Sequence, residues 1–386
     1  MKKNYTFRKL INDIHLWLGI GSGIVLFLVC LSGTILTFEK EIKLAFTENL
    51  ELEGNSESIL SAEQLVQKLS GKGTIDGFTI PSNSTSPYEF RVKMSPEDRR
   101  GTAVYVNQFT GETLQHETND SINEFFMTMF RLHRWLLLDT SVGRPIVGIA
   151  TIIFFFLSIS GIILWFPKKM LWKQFKPGFK IKFSASWKRI NHDLHNTLGF
   201  YSCIFLIVMT LTGLNWSFGW YKEGASAVLG TPVFNRSQPE ITVPESNASD
   251  LGLSEILNIA NKEFNYSGDL IIGLPSDRND YFNIRKKNAS SWTPTVSNSL
   301  ILSKQGDILL KDIFNEKPLN VQIASLIKPL HTGEIFGGIS KIIYFLACLI
   351  ATSLPITGTI IWINKLKKKR AKKRTKQIKK VIKLYS

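Results

Sequence analysis

The residues in this sequence best suited to chemistry are histidines at the edges of apolar stretches. The chain contains six histidines, and two of them, His192 and His195, stand three residues apart where a long apolar run begins. Neutral imidazole is a common ligand of metal ions and of haem iron. A polar side chain is costly within a bilayer. These histidines are therefore either ligands or polar residues tolerated at a membrane interface.

Four of the histidines belong to an internal repeat. His15 is followed by glycines four and eighteen residues later, and His195 is followed by glycines at the same two distances. His133, in "LHRW", lies 28 residues before the glycine of "SGIILWF", and His331, in "LHTG", lies 27 residues before the glycine of "TGTIIWI". Residues related by such a repeat occupy matching positions in the two halves. The sequence therefore predicts two tandem halves, each made of a span, an outer module and a second span.

Four runs are apolar enough to cross a bilayer, which takes about 20 residues. They are Ile14–Phe38, Pro145–Phe166, Leu194–Phe218 and Gly338–Ile363. The three cysteines each lie within one of these runs, which argues against a disulfide framework or a CxxC metal site. The sequence predicts a mainly α membrane protein with four transmembrane helices.

The excess of basic residues is concentrated in segments that flank the predicted spans. Three segments, 1–13, 167–193 and 364–386, hold 24 of the 47 basic residues and only two of the 31 acidic ones. All three fall on the same side of a four-span arrangement, and the positive-inside rule places that side in the cytoplasm. We therefore expect both termini to be cytoplasmic, two large loops to lie outside, and membrane lipid rather than nucleic acid to be the partner of the basic segments.

The two outer loops carry the same pattern of elements. "SAEQLVQKLS" and "LSEILNIANKEF" each predict an amphipathic helix, and alternating segments such as "YEFRVKM" and "DYFNIRK" predict antiparallel strands after it. Each loop is thus expected to form an α+β module. The predicted division of the chain is 1–38 (N-terminus and first span), 39–144 (first module), 145–166 (second span), 167–193 (basic loop), 194–218 (third span), 219–337 (second module), 338–363 (fourth span) and 364–386 (basic tail).

Haem binding would explain why the four repeated histidines recur in pairs. His15 and His195 fall at the cytoplasmic ends of their spans, whereas His133 and His331 fall on the outer side. A six-coordinate haem takes one imidazole on each face of the ring, and small residues let the ring approach a helix. The sequence therefore predicts two such pairs, with help from the glycines Gly19, Gly33, Gly161, Gly199, Gly213 and Gly358.

Other residues near the histidines have less certain roles. Asp13 and Asp193 are candidates to orient the ring nitrogens of the neighbouring histidines. His192 has Asn12 as its counterpart in the first half, so it breaks the repeat. It is a ligand, a contact of a haem propionate or a solvated neighbour of His195. His116, which also lacks a counterpart, is expected at the surface.

The quoted motifs also carry a family resemblance. "IHLWLGIGSGIVLFLVCLSGTILTFEKEI", "HDLHNTLGF…LTG", "LHRWLL" and "SGIILWFP" resemble the PepSY-associated transmembrane family, and "AVYVNQFTGETL" resembles a strand pair of the PepSY domain. The resemblance covers nearly the whole chain. Members of this family include iron-regulated inner-membrane proteins and siderophore reductases.

The resemblance implies a location, a cofactor and a reaction. It implies a multi-pass protein of the bacterial inner membrane with two PepSY-like modules and two b-type haems. The implied iron ligands are His15, His133, His195 and His331, and His192 matches the first histidine of the family's "HdLH". The implied reaction is reduction of ferric iron, free or bound to a siderophore, on the outer side. No flavin or nicotinamide motif follows the last span, so the donor is expected to be a quinol or a separate reductase.

Two other functions compete with this interpretation. The PepSY-like modules of a non-enzymatic membrane protein would bind peptides or regulate a protease or another partner, and the histidines would only pack. The third hypothesis is that the protein transports an iron complex. It is disfavoured because the spans number only four and lack an acidic pair.

Overall fold

The computed structural model describes residues 5–46, 52, 59–95, 101–114, 120–234, 241–277 and 279–385. The helices are α1 (Phe7–Leu36), α2 (Glu39–Ala45), α3 (Ala62–Leu69), α4 (Asp120–Trp135), α5 (Thr140–Trp165), α6 (Trp172–Phe175), α7 (Trp187–Asp193), α8 (Gly199–Ser217), α9 (Gly219–Leu229), α10 (Leu253–Glu263), α11 (Leu319–Thr332) and α12 (Gly338–Tyr385). The strands are β1 (Thr74–Ile80), β2 (Tyr88–Lys93), β3 (Thr102–Val106), β4 (Thr113–Leu114), β5 (Leu270–Gly273), β6 (Phe282–Lys287), β7 (Ser297–Leu302) and β8 (Ile308–Asp312).

Four helical segments of the described chain are long and apolar enough to cross a membrane. They are α1, α5, the continuous stretch from α7 through α8 (Trp187–Ser217), and α12. Helix α1 packs against α5 and α12, and α8 packs against the same two helices, so the four segments form a ring in the order α1, α5, α8, α12. The prediction of a mainly helical membrane protein with α+β parts is confirmed.

The third segment contains a local irregularity that the first lacks. Leu194–Leu198 forms a π-helical turn between α7 and α8, whereas α1 runs as a regular helix through His15. Such turns insert one extra residue into a helix and re-aim the side chains beside it. His195 lies within this turn.

Chain connectivity gives the bundle two different ends. The start of α1, the segment between α5 and α7, and the end of α12 share one end, which we call the terminal end. The strands and the helices α2, α4 and α11 join the spans at the opposite end, which we call the sheet end. The apolar run that contains His133 forms the separate helix α4 rather than a continuation of α5. It turns into α5 through Leu136 and Leu137, both of which have positive φ.

Helices α3 and α10 form because their ends are capped and one face of each is apolar. Ser61 and Gln64 make a capping box at the start of α3, and the Glu255 carboxylate accepts a hydrogen bond from the Gly252 N–H, 2.9 Å away, at the start of α10. Leu65 and Ile256, one from each helix, are fully buried against the strands. Both helices therefore cover the sheet with their apolar faces.

The strands of the two modules form one antiparallel sheet in the order β4-β3-β2-β1-β5-β6-β7-β8. Strands β1 and β5 join the halves, with Phe78 opposite Ile272. A single core of buried side chains runs across both halves. The sequence patterns predicted the outer strands but missed β1 and β5, so the continuity of the sheet was not foreseen.

Glu63 also links the two modules. Its carboxylate accepts hydrogen bonds from the backbone N–H and the hydroxyl of Ser254, at the start of α10, with the hydroxyl 2.6 Å away. Burial alone would raise the pKa of Glu63, but these hydrogen bonds favour the ionised form and hold the pKa below its usual range. A side chain of α3 thereby caps a helix of the other module.

Candidate functional site: two histidine pairs

The structure brings four of the predicted site histidines together as two pairs. At the terminal end, His15 of α1 and His195 of the π turn face each other with ring centres 6.4 Å apart and planes at 89°. At the sheet end, His133 of α4 and His331 of α11 have ring centres 6.2 Å apart and planes at 56°. We call these the terminal-end pair and the sheet-end pair.

The two pairs lie at well-separated heights in the bundle. The His133 ring contacts α1 at Gly33, which is eighteen residues beyond His15 on the same helix. At about 1.5 Å of rise per residue, this corresponds to about 27 Å along the helix axis. One pair therefore lies near each end of the apolar part of the bundle.

Each ring of the sheet-end pair donates a hydrogen bond from Nδ1 to a backbone carbonyl. His133 Nδ1 lies 2.9 Å from the Val29 oxygen, and His331 Nδ1 lies 3.0 Å from the Met209 oxygen. A carbonyl only accepts, so Nδ1 carries the proton in both rings. The Nε2 nitrogen of each ring is consequently left with a free lone pair.

The rings of the terminal-end pair reach the same protonation state through hydroxyl groups. His15 Nδ1 lies 2.8 Å from Ser160 Oγ, and His195 Nδ1 lies 2.9 Å from Thr357 Oγ1. Each hydroxyl donates its own hydrogen to a carbonyl one turn earlier in its helix, so it accepts from the imidazole. This network again leaves Nε2 as the nitrogen available for a ligand.

Glycines allow all four rings to lie directly against a neighbouring helix. A Cβ added at Gly213 would lie 2.9 Å from His331 Cε1, and one at Gly33 would lie 3.0 Å from His133 Cε1. The corresponding distances are 3.2 Å from Gly358 to His195 and 3.6 Å from Gly161 to His15. Any larger residue at the closest of these positions would displace the ring.

The remaining two predicted glycines face leucines rather than histidines. A Cβ at Gly19 would meet the side chain of Leu157 at 3.8 Å, and one at Gly199 would meet that of Leu354 at 3.5 Å. These two glycines therefore belong to helix packing within the repeat.

The prediction that Asp13 and Asp193 orient the histidines is wrong. The Asp13 carboxylate accepts from the hydroxyl of Tyr5 at 2.6 Å, and Asp193 pairs with Arg189, whose Nε lies 2.8 Å from Oδ1. Residues two apart on a helix do not face each other, so an aspartate at that spacing is directed away from the histidine. The orienting groups are instead the hydroxyl residues that immediately precede the glycines in "SG" and "TG".

The two histidines without a repeat counterpart lie elsewhere. The side chain of His192 is 55% exposed, and its Nδ1 lies 3.6 Å from Asp193 Oδ1. His192 stands one helical turn before His195 and is not a member of the terminal-end pair. His116 lies outside the described residues.

The separation of the rings indicates the kind of metal complex that each pair suits. With a metal–imidazole bond of about 2 Å and about 1.1 Å from nitrogen to ring centre, two imidazoles on opposite sides of one metal have centres about 6.2 Å apart, whereas a tetrahedral angle gives about 5 Å. The observed separations of 6.4 and 6.2 Å are close to the value for two imidazoles on opposite sides of one metal, and they also lie within the 4.5 to 7 Å usual for packed aromatic rings.

Two imidazoles alone do not complete the coordination of a metal ion. Within the part of the chain that the structure describes, no three His, Cys, Asp or Glu side chains come together as a metal site. A porphyrin would supply the remaining ligands of such a metal. The free Nε2 atoms, the ring separations and the glycine contacts are compatible with a haem at each pair.

Comparison with known families gives one match. The family model described as PepSY-associated TM region matches residues 13–365, which include all four paired histidines. No curated protein matches this sequence at a significant level.

Proposed function

The chain belongs to the PepSY-associated TM region family, and we propose that it is a di-haem electron-transfer protein of the membrane. His15 and His195 would hold one haem, and His133 and His331 would hold the other. The proposed reaction transfers one electron from a quinol or a reductase to ferric iron, free or held by a siderophore, for iron uptake.

The observation that carries this proposal is the equivalence of the two pairs. Both have the ring separation of two axial ligands, both use Nδ1 for orientation, and both place each ring against a glycine of another helix. The combination of these three features recurs at both ends of the bundle. A bound haem supplies a one-electron Fe(III)/Fe(II) couple.

The residues of the chain would fix each haem without a covalent bond. Cys30, Cys203 and Cys348 all lie in the spans, and none of them belongs to a C-x-x-C-H sequence, the motif that attaches haem covalently. The haems would therefore be of the b type. The hydrogen bonds at Nδ1 hold each imidazole in one orientation and increase its basicity as a ligand.

The direction of the reaction follows from the charge of the two ends. The basic segments at the terminal end favour the cytoplasmic side of a bacterial inner membrane. The donor would then act near the terminal-end pair, and the ferric chelate would be reduced near the sheet-end pair, on the extracytoplasmic side.

The absorbance of the purified full-length protein tests the proposal. We expect a low-spin haem spectrum that sharpens on reduction with dithionite, with two haems per chain. His15→Ala should lose about one haem and His133→Ala should lose the other, whereas His192→Ala should retain both. A wild-type protein that carries no haem after expression with ample haem supply would refute the proposal.

A hollow on the sheet favours a second candidate function, non-enzymatic binding of a peptide or other partner. It has a volume of about 260 Å³ and lies on the face opposite α3 and α10, where Gly77 and Gly273 pair beneath the side chains of Arg91 and Arg285. This function requires no haem. The spectrum described above therefore distinguishes the two candidates.

A further inference from the structure

Arg134, which directly follows the paired His133, and the exposed Arg144 of α5 both contact the Trp135 ring, and neither has an acidic partner in the described part of the chain. The Arg134 guanidinium carbon is 5.9 Å from the centre of the Trp135 ring, and that of Arg144 is 5.7 Å from the same ring. Arg134 also lies over Phe130, at 5.5 Å. Aromatic rings thus hold two guanidinium groups in one place.

This arrangement is costly unless an anion is present. Arg134 is partly buried, and none of the ion pairs between described residues involves it or Arg144. Asp139, the nearest acid in sequence, caps α5 through the backbone N–H of Ser141, 2.7 Å away. The two neighbouring cations repel each other, and the partial burial of Arg134 removes some of the water that would screen its charge, whereas Arg144 is exposed. An anion between them would offset both effects.

Arg134 breaks the internal repeat at a position next to a paired histidine. The corresponding residue in the second half, which directly follows His331, is Thr332.

Two sources of anionic oxygen could reach these arginines. One is the phosphate of a lipid, because arginines near a helix end extend toward the headgroups. The other is the pair of carboxylates on a haem held by His133 and His331. Guanidinium binds carboxylate and phosphate alike, through two parallel hydrogen bonds. Arg134 is half-buried and directly follows His133, which favours the haem carboxylates, whereas Arg144 is exposed.

We infer that Arg134 and Arg144 form an anion site that binds the propionate carboxylates of the haem at the sheet-end pair. This inference rests on the proposed function. The two arginines are then positioning residues: they fix the rotation of the ring about the axis between the histidines, and they favour the reduced iron electrostatically.

A chemical double-mutant cycle tests this contact. Wild type and Arg134→Gln are each loaded with haem b or with its dimethyl ester, which has no free carboxylates, and haem loss to an excess of apomyoglobin is timed. With haem b, we expect Arg134→Gln to lose the sheet-end haem about 10- to 100-fold faster, the range for a lost charge-assisted hydrogen bond. With the ester, the two proteins should differ by less than about twofold.

Matched variants complete the design. Arg131→Gln removes an exposed cation one helical turn earlier and should leave both rates unchanged. If Arg134→Gln fails to fold, Arg144→Gln carries the same cycle. The midpoint potential of the sheet-end haem should fall in either variant.

The outcomes separate this inference from the proposed function. Equal acceleration with haem b and with the ester would overturn the inference and leave the proposed function standing. An acceleration that appears in anionic lipid nanodiscs but not in neutral ones would also overturn it, in favour of lipid phosphate. A wild-type protein without haem would overturn both.

Discussion

The contact between Gly213 and His331 allows a quantitative prediction for Gly213→Ala. The new Cβ would lie 2.9 Å from His331 Cε1, about 0.6 to 1.1 Å inside the optimal carbon–carbon distance of about 3.5 to 4.0 Å. The methyl group cannot avoid the ring, because both helices are packed. Overpacking of this kind costs about 1 to 3 kcal/mol, which corresponds to about 5- to 150-fold in a binding constant.

Gly21→Ala is the matched control for this substitution. A Cβ at Gly21 meets nothing within 4 Å, so the substitution brings only the helix propensity of alanine, about 0.5 to 1 kcal/mol in favour of the fold. The difference between the two variants therefore isolates the clash. Gly161→Ala, where the contact is 3.6 Å, should behave like the control.

The assay measures unfolding in detergent and the haem content of each variant. We expect Gly213→Ala to be less stable than Gly21→Ala by about 1 to 3 kcal/mol and to lose the haem of the sheet-end pair selectively. Gly33→Ala and Gly358→Ala should follow in the order of their contact distances. If Gly213→Ala matched Gly21→Ala in both measurements, the ring would not lie against this glycine, and the geometry of the sheet-end pair would be refuted.

Three further predictions concern the hydrogen bonds and the sheet. Ser160→Ala removes the acceptor of one terminal-end histidine and should weaken the ligand of that pair about 10- to 100-fold, as read from haem content. Ser22→Ala, which removes a hydroxyl that donates to the Leu18 carbonyl of its own helix, is the control and should leave the haem content unchanged. Glu63 has a lowered pKa in the fold, so the stabilisation by its carboxylate is present at neutral pH and is lost as the pH falls through the folded pKa. Glu63→Gln should therefore reduce the dependence of the free energy of unfolding on pH between pH 7 and pH 3. Ile272→Ala should cost about 2 to 5 kcal/mol and lower the unfolding transition of both modules together, since the core is shared, whereas Ile308→Ala, at a position 47% exposed, should change the stability little.

Much of the membrane part was predictable because its signals are local. Apolar length defines the four spans. The repeat placed His15 with His195 and His133 with His331 at matching heights, and the structure brings the same residues together. The role of Ser160 and Thr357 also left a signal, since a small hydroxyl residue precedes the glycine in both halves. The carboxylates of Asp13 and Asp193, which stand closer to the histidines in sequence, gave a competing signal that the structure does not support.

The sheet was less predictable, because its central join depends on distant segments. Leu270–Gly273 is only four residues long and gives little alternation to recognise. Its pairing with Thr74–Ile80 crosses nearly two hundred residues of chain. Register between strands is set by burial and by the partner strand, neither of which is visible in either segment alone.

The sequence by itself determined the number of spans, the concentration of positive charge at one end and the repeat that aligns four histidines, because length, charge and spacing are properties of contiguous residues. Tertiary structure alone decided which atom holds each Nδ1, that two modules share one core, and that Arg134 and Arg144 both contact Trp135. These contacts join different helices and strands, so they depend on how the elements pack and on the π turn that re-aims His195.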